Sequence, residues 1–182
     1  GSDVPPGSVE GDPRSLREPL KGCPDSLEIS ASGVEGVVQA RMLRSSILVV
    51  TTNIEGGPSP NENVEDNDEE GAKRQREKIR TIMESIWSLE GASNLRWLFI
   101  TDADVDLSEG DWKRVLLWQF FCRFDVGRDL HFDSQKGRVC WDATAPIPSQ
   151  DGPIPVRRWP GVTLHDPDVL SRVDSWLEEG GF

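Results

Sequence analysis

The chain has 182 residues and a mass of 20.3 kDa, enough for one domain with a real core and hardly enough for two. Its 32 acidic against 20 basic residues give a formal net charge of −12. That sign excludes a general binder of nucleic acid or of an anionic membrane, because both are polyanions. An apolar fraction of 36% with 13 prolines and 17 glycines predicts a compact core joined to substantial loop segments. No apolar run reaches the roughly 18 residues of a membrane-spanning helix and no secretory signal opens the chain, so the expectation is a cytoplasmic protein. Gly1-Ser2 without an initiating Met reads as an expression remnant, which leaves an excised fragment and a stand-alone protein both open. Cys23, Cys122 and Cys140 are odd in number and far apart, which suits reduced thiols better than disulfides or metal ligation.

Residues 1–26 hold five prolines and few large apolar groups, and are expected to form a flexible N-terminal segment. Residues 27–182 are expected to form a single α/β domain. Leu27-Glu28-Ile29 and Val37-Val38 are short extended candidates. Ile47 to Thr52 is an apolar, largely β-branched run of the kind covered on both faces of a sheet. Residues 55–71 carry seven acidic and no basic residues and read as a solvated, flexible acidic loop.

From Ala72 to Leu89, the apolar positions Ile79, Ile82, Met83 and Ile86 follow the i, i+3, i+4, i+7 spacing of an amphipathic helix. Leu95 to Thr101 is a second buried strand, closing on Asp102, Asp104 and Asp106. Ser108 with Asp111 resembles a capping box, and the helix after it is expected to reach Cys122 and to bury Trp112, Val115, Leu116, Trp118 and Phe120. Strand, helix, strand, helix is a βαβ order that implies a parallel pair. Residues 128–133 and 137–142 read as a hairpin. Residues 145–163 are Pro-rich and irregular, with Trp159 an exposed interface anchor. Asp166-Pro167 starts a last helix whose stripe is Val169, Val173, Trp176 and Leu177.

Much familiar chemistry is missing. The sequence has no phosphate-binding GxxxxGK[ST] loop, no GxGxxG, no GxSxG elbow and no HExxH, and His131 and His165 stand isolated. The sharpest local signal is WLFITDADVD, an apolar strand ending in three aspartates. Ligands gather at such strand ends in open α/β sheets, and carboxylates there can hold a divalent cation. A calcium loop does not fit, since its sixth position is Leu107 and its twelfth Lys113. A metal-dependent transferase using Asp102 and Asp104 remains open, as does a structural role in turning and capping the chain. Arg123 and Arg128 flank Asp125 and Asp129, which suggests an internal Arg–Asp network.

Taken as an ordered set, WLFITDADVDLSEGDWKRVLLWQFFCRFDVGRDLHF followed by GRVCWDAT resembles the carboxy-terminal domain of UbiD-like decarboxylases, the 3-polyprenyl-4-hydroxybenzoate carboxy-lyase family. The matching positions are Asp102, Asp104, Asp106, Trp118, Arg123, Arg128, Asp129, Asp142, Ala143 and Thr144, within roughly residues 45–165. The resemblance implies a mixed sheet with a parallel βαβ unit and helices packed on it. It implies the carboxy-terminal domain of an enzyme that decarboxylates aromatic or α,β-unsaturated acids with prenylated FMN and a divalent metal. In that family this domain packs over the cofactor cleft and takes part in oligomerisation, while the cofactor pocket and the Glu-Arg-Glu catalytic set lie chiefly in the preceding domain. Implied partners are therefore that flavin-binding domain or subunit, a further copy of the chain, and a flavin prenyltransferase that makes the cofactor. The chain alone is expected to be inactive, with no catalytic residue and no metal ligand of its own. Family members place Lys just before the apolar strand; here the nearest basic residue is Arg96, the candidate contact to the cofactor phosphate. Where members place Lys after the "DAT" turn, Ala145-Pro146-Ile147-Pro148 follow. A stand-alone interaction or regulatory module that kept the fold without the chemistry is the other reading.

Overall fold

The structure is a computed structural model; it describes residues 22–54, 68–150, 154–156 and 167–180. A five-stranded sheet forms the centre: β1 (Val37–Arg44), β2 (Ile47–Thr52), β3 (Trp97–Asp102), β4 (Leu130–Asp133) and β5 (Arg138–Asp142), in the order β1-β2-β3-β5-β4. The inner pairs β2/β3 and β3/β5 are parallel, and the outer pairs β1/β2 and β4/β5 are antiparallel. Among the described residues there are five α-helices, α1 (Ser26–Ser32), α2 (Glu69–Trp87), α3 (Trp112–Arg123), the single turn α4 (Val126–Asp129) and α5 (Pro167–Gly180), and a short 3-10 helix at Ala92–Asn94.

The two faces of the sheet build two cores. Alternation along each strand sends Leu48, Val50, Leu98, Ile100 and Cys140 to one face, where the α2 stripe Ile79, Ile82, Met83 and Ile86 covers them. The other face sends Val49 to Trp112 and Leu116 of α3, with Val105 and Leu107 of the preceding loop. β2 is buried nearly throughout, as a parallel strand covered on both sides should be. The α2 crossover joins β2 to β3 in parallel register, Ile47 opposite Trp97 through Thr52 opposite Asp102. Gly91 ends the α2 region with φ of 90°, and a Cβ there would meet Pro24 Cγ at 2.6 Å, so no other residue fits comfortably.

Several expectations need correction. Leu27-Glu28-Ile29 is helical: Leu27 and Ala31, four residues apart, are the buried pair of α1, and Glu28 accepts the Met42 backbone N–H of β1 at 2.7 Å. A three-residue apolar stretch cannot distinguish period 2 from period 3.6, and the decisive Ala31 lies outside it. Residues 68–71 open α2 rather than extending the acidic loop. Asp68 caps the helix, accepting Gly71 N–H at 2.8 Å, and Glu69 and Glu70 sit where the helix dipole favours negative charge. The Ser108–Asp111 capping box does not form; Asp111 is the N-cap without a side-chain bond, and Ser108 is bound to Asp106 instead. On α3, Trp118 is exposed, and the side chain buried beside Leu116 is Gln119. The α5 stripe is likewise exposed rather than buried. The expected N-terminal segment and acidic loop fall largely, and Trp159 and His165 wholly, outside the described residues.

The α2 stripe is the largest apolar seam against the sheet, and Ile79 is fully buried in it. Ile79→Ala is expected to lower the free energy of unfolding by about 2–5 kcal/mol in urea titrations, through lost burial and a cavity.

Candidate functional site

Because β3 and β5 are parallel neighbours, their carboxyl ends meet at one edge, and each ends on an aspartate, Asp102 and Asp142. Two oxygen acceptors at the ends of adjacent strands need donors, and the chain supplies them from three sides. Arg123, in the last turn of α3, donates from Nη1 to Asp102 Oδ2 at 2.8 Å and from Nη2 to Asp104 Oδ2 at 3.2 Å. Ala145 N–H donates to the same Asp102 oxygen at 2.7 Å. Asp142 Oδ1 accepts the backbone N–H of Thr144 at 3.0 Å and its hydroxyl at 2.7 Å, so the Asp-Ala-Thr turn closes on itself.

A second Arg–Asp pair adjoins the first. Arg128 grips Asp129 with both fork atoms, at 2.5 and 2.6 Å, and donates to the Arg123 carbonyl at 2.7 Å. Asp129 also accepts the Asp125 N–H at 2.8 Å. Asp106 stands apart: it accepts from Ser108 N–H, Ser108 Oγ and Gln39 Nε2, and fixes the loop into α3 against β1. The structure thus brings Asp102, Asp104, Arg123, Arg128, Asp129, Asp142 and Thr144 to one end of the sheet. It does not bring Arg96 there. Arg96 precedes β3, at the opposite end, and donates to the Lys136 carbonyl.

Burial sets the protonation. Loss of solvent pushes Asp102 up to about 6 and Asp142 up to about 7; their hydrogen bonds oppose the shift, and neighbouring carboxylates add to it, Asp104 for Asp102 and both Asp129 and Asp102 for Asp142. Asp106 moves the other way, held low chiefly by the Ser108 hydroxyl and then by Gln39. His131, on β4 opposite Cys140, is lowered by burial and by the Arg80 charge.

Two glutamines complete the site and had no motif to announce them. Gln119 Oε1 accepts from Arg123 at 2.6 Å and from Thr101 Oγ1 at 3.3 Å. Gln75 of α2 donates to the Ala145 carbonyl at 2.8 Å and accepts Ile147 N–H at 3.2 Å. The available signal was positional: each is a polar residue on an otherwise apolar inward stripe.

This arrangement ties β3, β5, α3, α4 and the 143–145 turn into one unit. It does not fit a flavin phosphate. Both guanidiniums are already held by carboxylates, and a phosphate would meet the negative side of Asp102, Asp104 and Asp142. Nor does it fit a divalent cation, because the Arg123 guanidinium stands between Asp102 and Asp104 where a cation would sit; among the described residues no three His, Cys, Asp or Glu side chains converge as ligands.

Residues 67–146 match the family described as the 3-octaprenyl-4-hydroxybenzoate carboxy-lyase C-terminal domain. Over these residues, somewhat under half of its length, the chain is similar to a UbiD C-terminal domain. That span contains α2, β3, α3, both Arg–Asp pairs and the hairpin. Solved structures similar to the chain include vanillic acid decarboxylase of Sedimentibacter hydroxybenzoicus in open form (14% identity, TM-score 0.46, 84% of this chain and 31% of that one). Others are the UbiD-class enzyme HmfF of Pelotomaculum thermopropionicum, as an evolved dimer with prFMN (17%, 0.40, 79% and 28%) and with FMN (14%, 0.41, 82% and 32%). The chain therefore spans about a third of the length of these structures. None of these TM-scores reaches 0.5, so the likeness rests on the family match over residues 67–146. No curated protein matches the sequence significantly. Among the described residues no helix is long and apolar enough to cross a membrane.

Two measurements probe the site. Arg123→Met leaves Asp102 without its cation and is expected to cost about 3 kcal/mol of unfolding free energy, the order for breaking a largely buried pair. The pH test has a definite sign. A carboxyl raised on folding binds its proton more tightly in the native state, so stability falls as pH rises from about 4, where the unfolded acid ionises, to about 7, and is flat above. Asp142→Asn keeps the acceptor and removes the titration. Its stability relative to wild type is expected to climb between pH 4 and 7 and then level off, read by urea unfolding at fixed ionic strength.

Proposed function

We propose that this chain is the carboxy-terminal part of a prenylated-FMN-dependent decarboxylase that acts on aromatic or α,β-unsaturated carboxylic acids. The observation that carries the reading is the family match over residues 67–146, whose family description is that of a carboxy-lyase C-terminal domain. The site geometry supports the division of labour. Decarboxylation needs an electron sink for the developing carbanion and a group to protonate it. Here each aspartate of the site accepts bonds from within the domain, and each arginine is spent on an aspartate. Such groups hold a scaffold rigid. The flavin, its divalent metal and the acid–base set belong to a preceding flavin-binding domain or subunit, and a flavin prenyltransferase supplies the cofactor.

On this reading the domain closes the active site and contributes to oligomerisation, and Arg96, if it meets the cofactor phosphate, does so from the end of the sheet away from the aspartates. The metal-dependent transferase is disfavoured by the position of Arg123. The test is an assay of the chain with prenylated FMN and a panel of aromatic and acrylic acids. No carbon dioxide release is expected from the chain alone, and release is expected when it is joined to a flavin-binding domain of the same family. Turnover by the chain alone overturns the proposal. Failure of the joined protein, with flavin bound and both parts folded, favours the interaction module.

A further inference from the structure

The sheet is covered unevenly, and the uncovered part has a defined shape. α3 crosses from β1, where the Arg41 guanidinium lies 5.9 Å from the Trp112 ring, to β5, where Phe120 and Phe124 pack on Trp141 at centroid distances of 5.4 and 5.2 Å. On the α3 face beyond that crossing, strand register places two apolar rows across β3, β5 and β4. One row is Trp97, Val139 and Phe132; the next is Phe99, Trp141 and Leu130. The first row is open: Trp97 is 46% and Phe132 65% exposed. Beside it α3 presents a second apolar stripe, Leu117, Phe120, Phe121 and Phe124, at the i, i+3, i+4, i+7 spacing of a buried helix face, yet Phe121 is 79% exposed. Scattered exposed apolar residues need no explanation, but two sheet rows meeting a helix stripe form one continuous patch. Parallel strands such as β3 and β5 are ordinarily covered on both faces.

The chain also carries a helix of matching kind. α5 is amphipathic, with Val169, Leu170, Val173 and Leu177 on one side, each 44–47% exposed. Its 14 residues span about 21 Å, more than the two strand spacings from β3 to the β4 edge. Charge is complementary: α5 holds Asp168, Asp174 and Glu178 against Arg172, whereas Arg96 and Lys136 lie beside the open row and Lys113 on α3; Arg114 and Arg123 are already paired with Asp111 and with Asp102 and Asp104. Reach is sufficient. Ile154 lies against α4, where its Cδ1 is 2.6 Å from the place a Cβ on Gly127 would take. The ten residues between Val156 and Pro167 extend up to roughly 36 Å. A helix tethered so closely has an effective concentration on the order of millimolar at the patch.

We propose that α5 docks its apolar face on the same chain's patch, over the Trp97–Val139–Phe132 row and against the Leu117–Phe121 stripe of α3. The docked helix completes the second layer of the sheet and keeps the aromatic rows dry. The test uses the full chain with an environment-sensitive apolar dye, amide hydrogen exchange and sedimentation velocity. Val173→Glu with Leu177→Glu is expected to raise dye binding several-fold and to speed exchange in β4 and in residues 120–124 at least tenfold, without changing the sedimentation coefficient's mass class. Phe121→Glu with Phe132→Glu should release the α5 amides likewise, and the four changes together should add little beyond either pair. All four positions are exposed, so the fold itself is not at stake. Three results overturn the proposal: no change in exchange of β4 and α3 on altering α5; a dimer that the α5 variant splits, which makes a second copy the occupant; or wild type that already binds dye as strongly as the variants, which leaves the patch for another body.

Discussion

Arg123 is the constraint on which the carboxyl end of the sheet depends. Parallel pairing forces Asp102 and Asp142 to the same edge, and an acidic chain has no surplus of cations to spend there. One guanidinium spans Asp102 and Asp104, its carbonyl receives Arg128, and Arg128 in turn orients Asp129. Planar, fork-shaped donors suit this work in a way that a lysine ammonium does not. Asp142, without an arginine of its own, is pushed up to about 7, chiefly by burial.

That arrangement explains why α3 can be apolar on two sides. Its inward stripe is fixed by Trp112, Leu116 and Gln119, and its last turn is pinned by Arg123, so its orientation over the sheet does not depend on what covers its lateral side. A helix without a polar face is ordinarily a buried one. Here the outward residues Leu117 and Phe121 are exposed, and the strands beyond them carry Trp97 and Phe132 at the surface. The second apolar side of α3 is thus information about a second neighbour.

The sequence made some of this legible and hid the rest for physical reasons. The parallel β2–α2–β3 unit was readable because a β-branched run and a clean 3.6-residue stripe leave little ambiguity, and the β4–β5 hairpin because alternation brackets a short polar turn. α1 was misread because three residues cannot carry a period. Trp118 was misplaced because in WKRVLLWQFFCR apolar residues occupy nearly every angle, so the pattern cannot say which side faces in; the polar Gln119 turned out to be the inward residue, held there by Arg123 and Thr101. The aspartates were conspicuous as a cluster, but their partners were not. Arg123 reaches Asp102 across 21 residues and Ala145 N–H reaches it across 43, distances over which a one-dimensional pattern has no purchase.

The same geometry bears on where chemistry can occur. A carboxylate serves a reaction when a face of it is left for substrate, and a raised pKa alone does not make a catalyst, since structural networks shift carboxyls just as strongly. Asp142 is shifted by burial and by its neighbours, and its Oδ1 is committed to the turn that positions Ala145. Ala145 N–H in turn completes Asp102. Exchanging any of these groups for a substrate would unmake the corner that holds α3 on the sheet. Reaction chemistry has to sit where groups can change partners during turnover, and the carboxyl end of this sheet is built so that they do not.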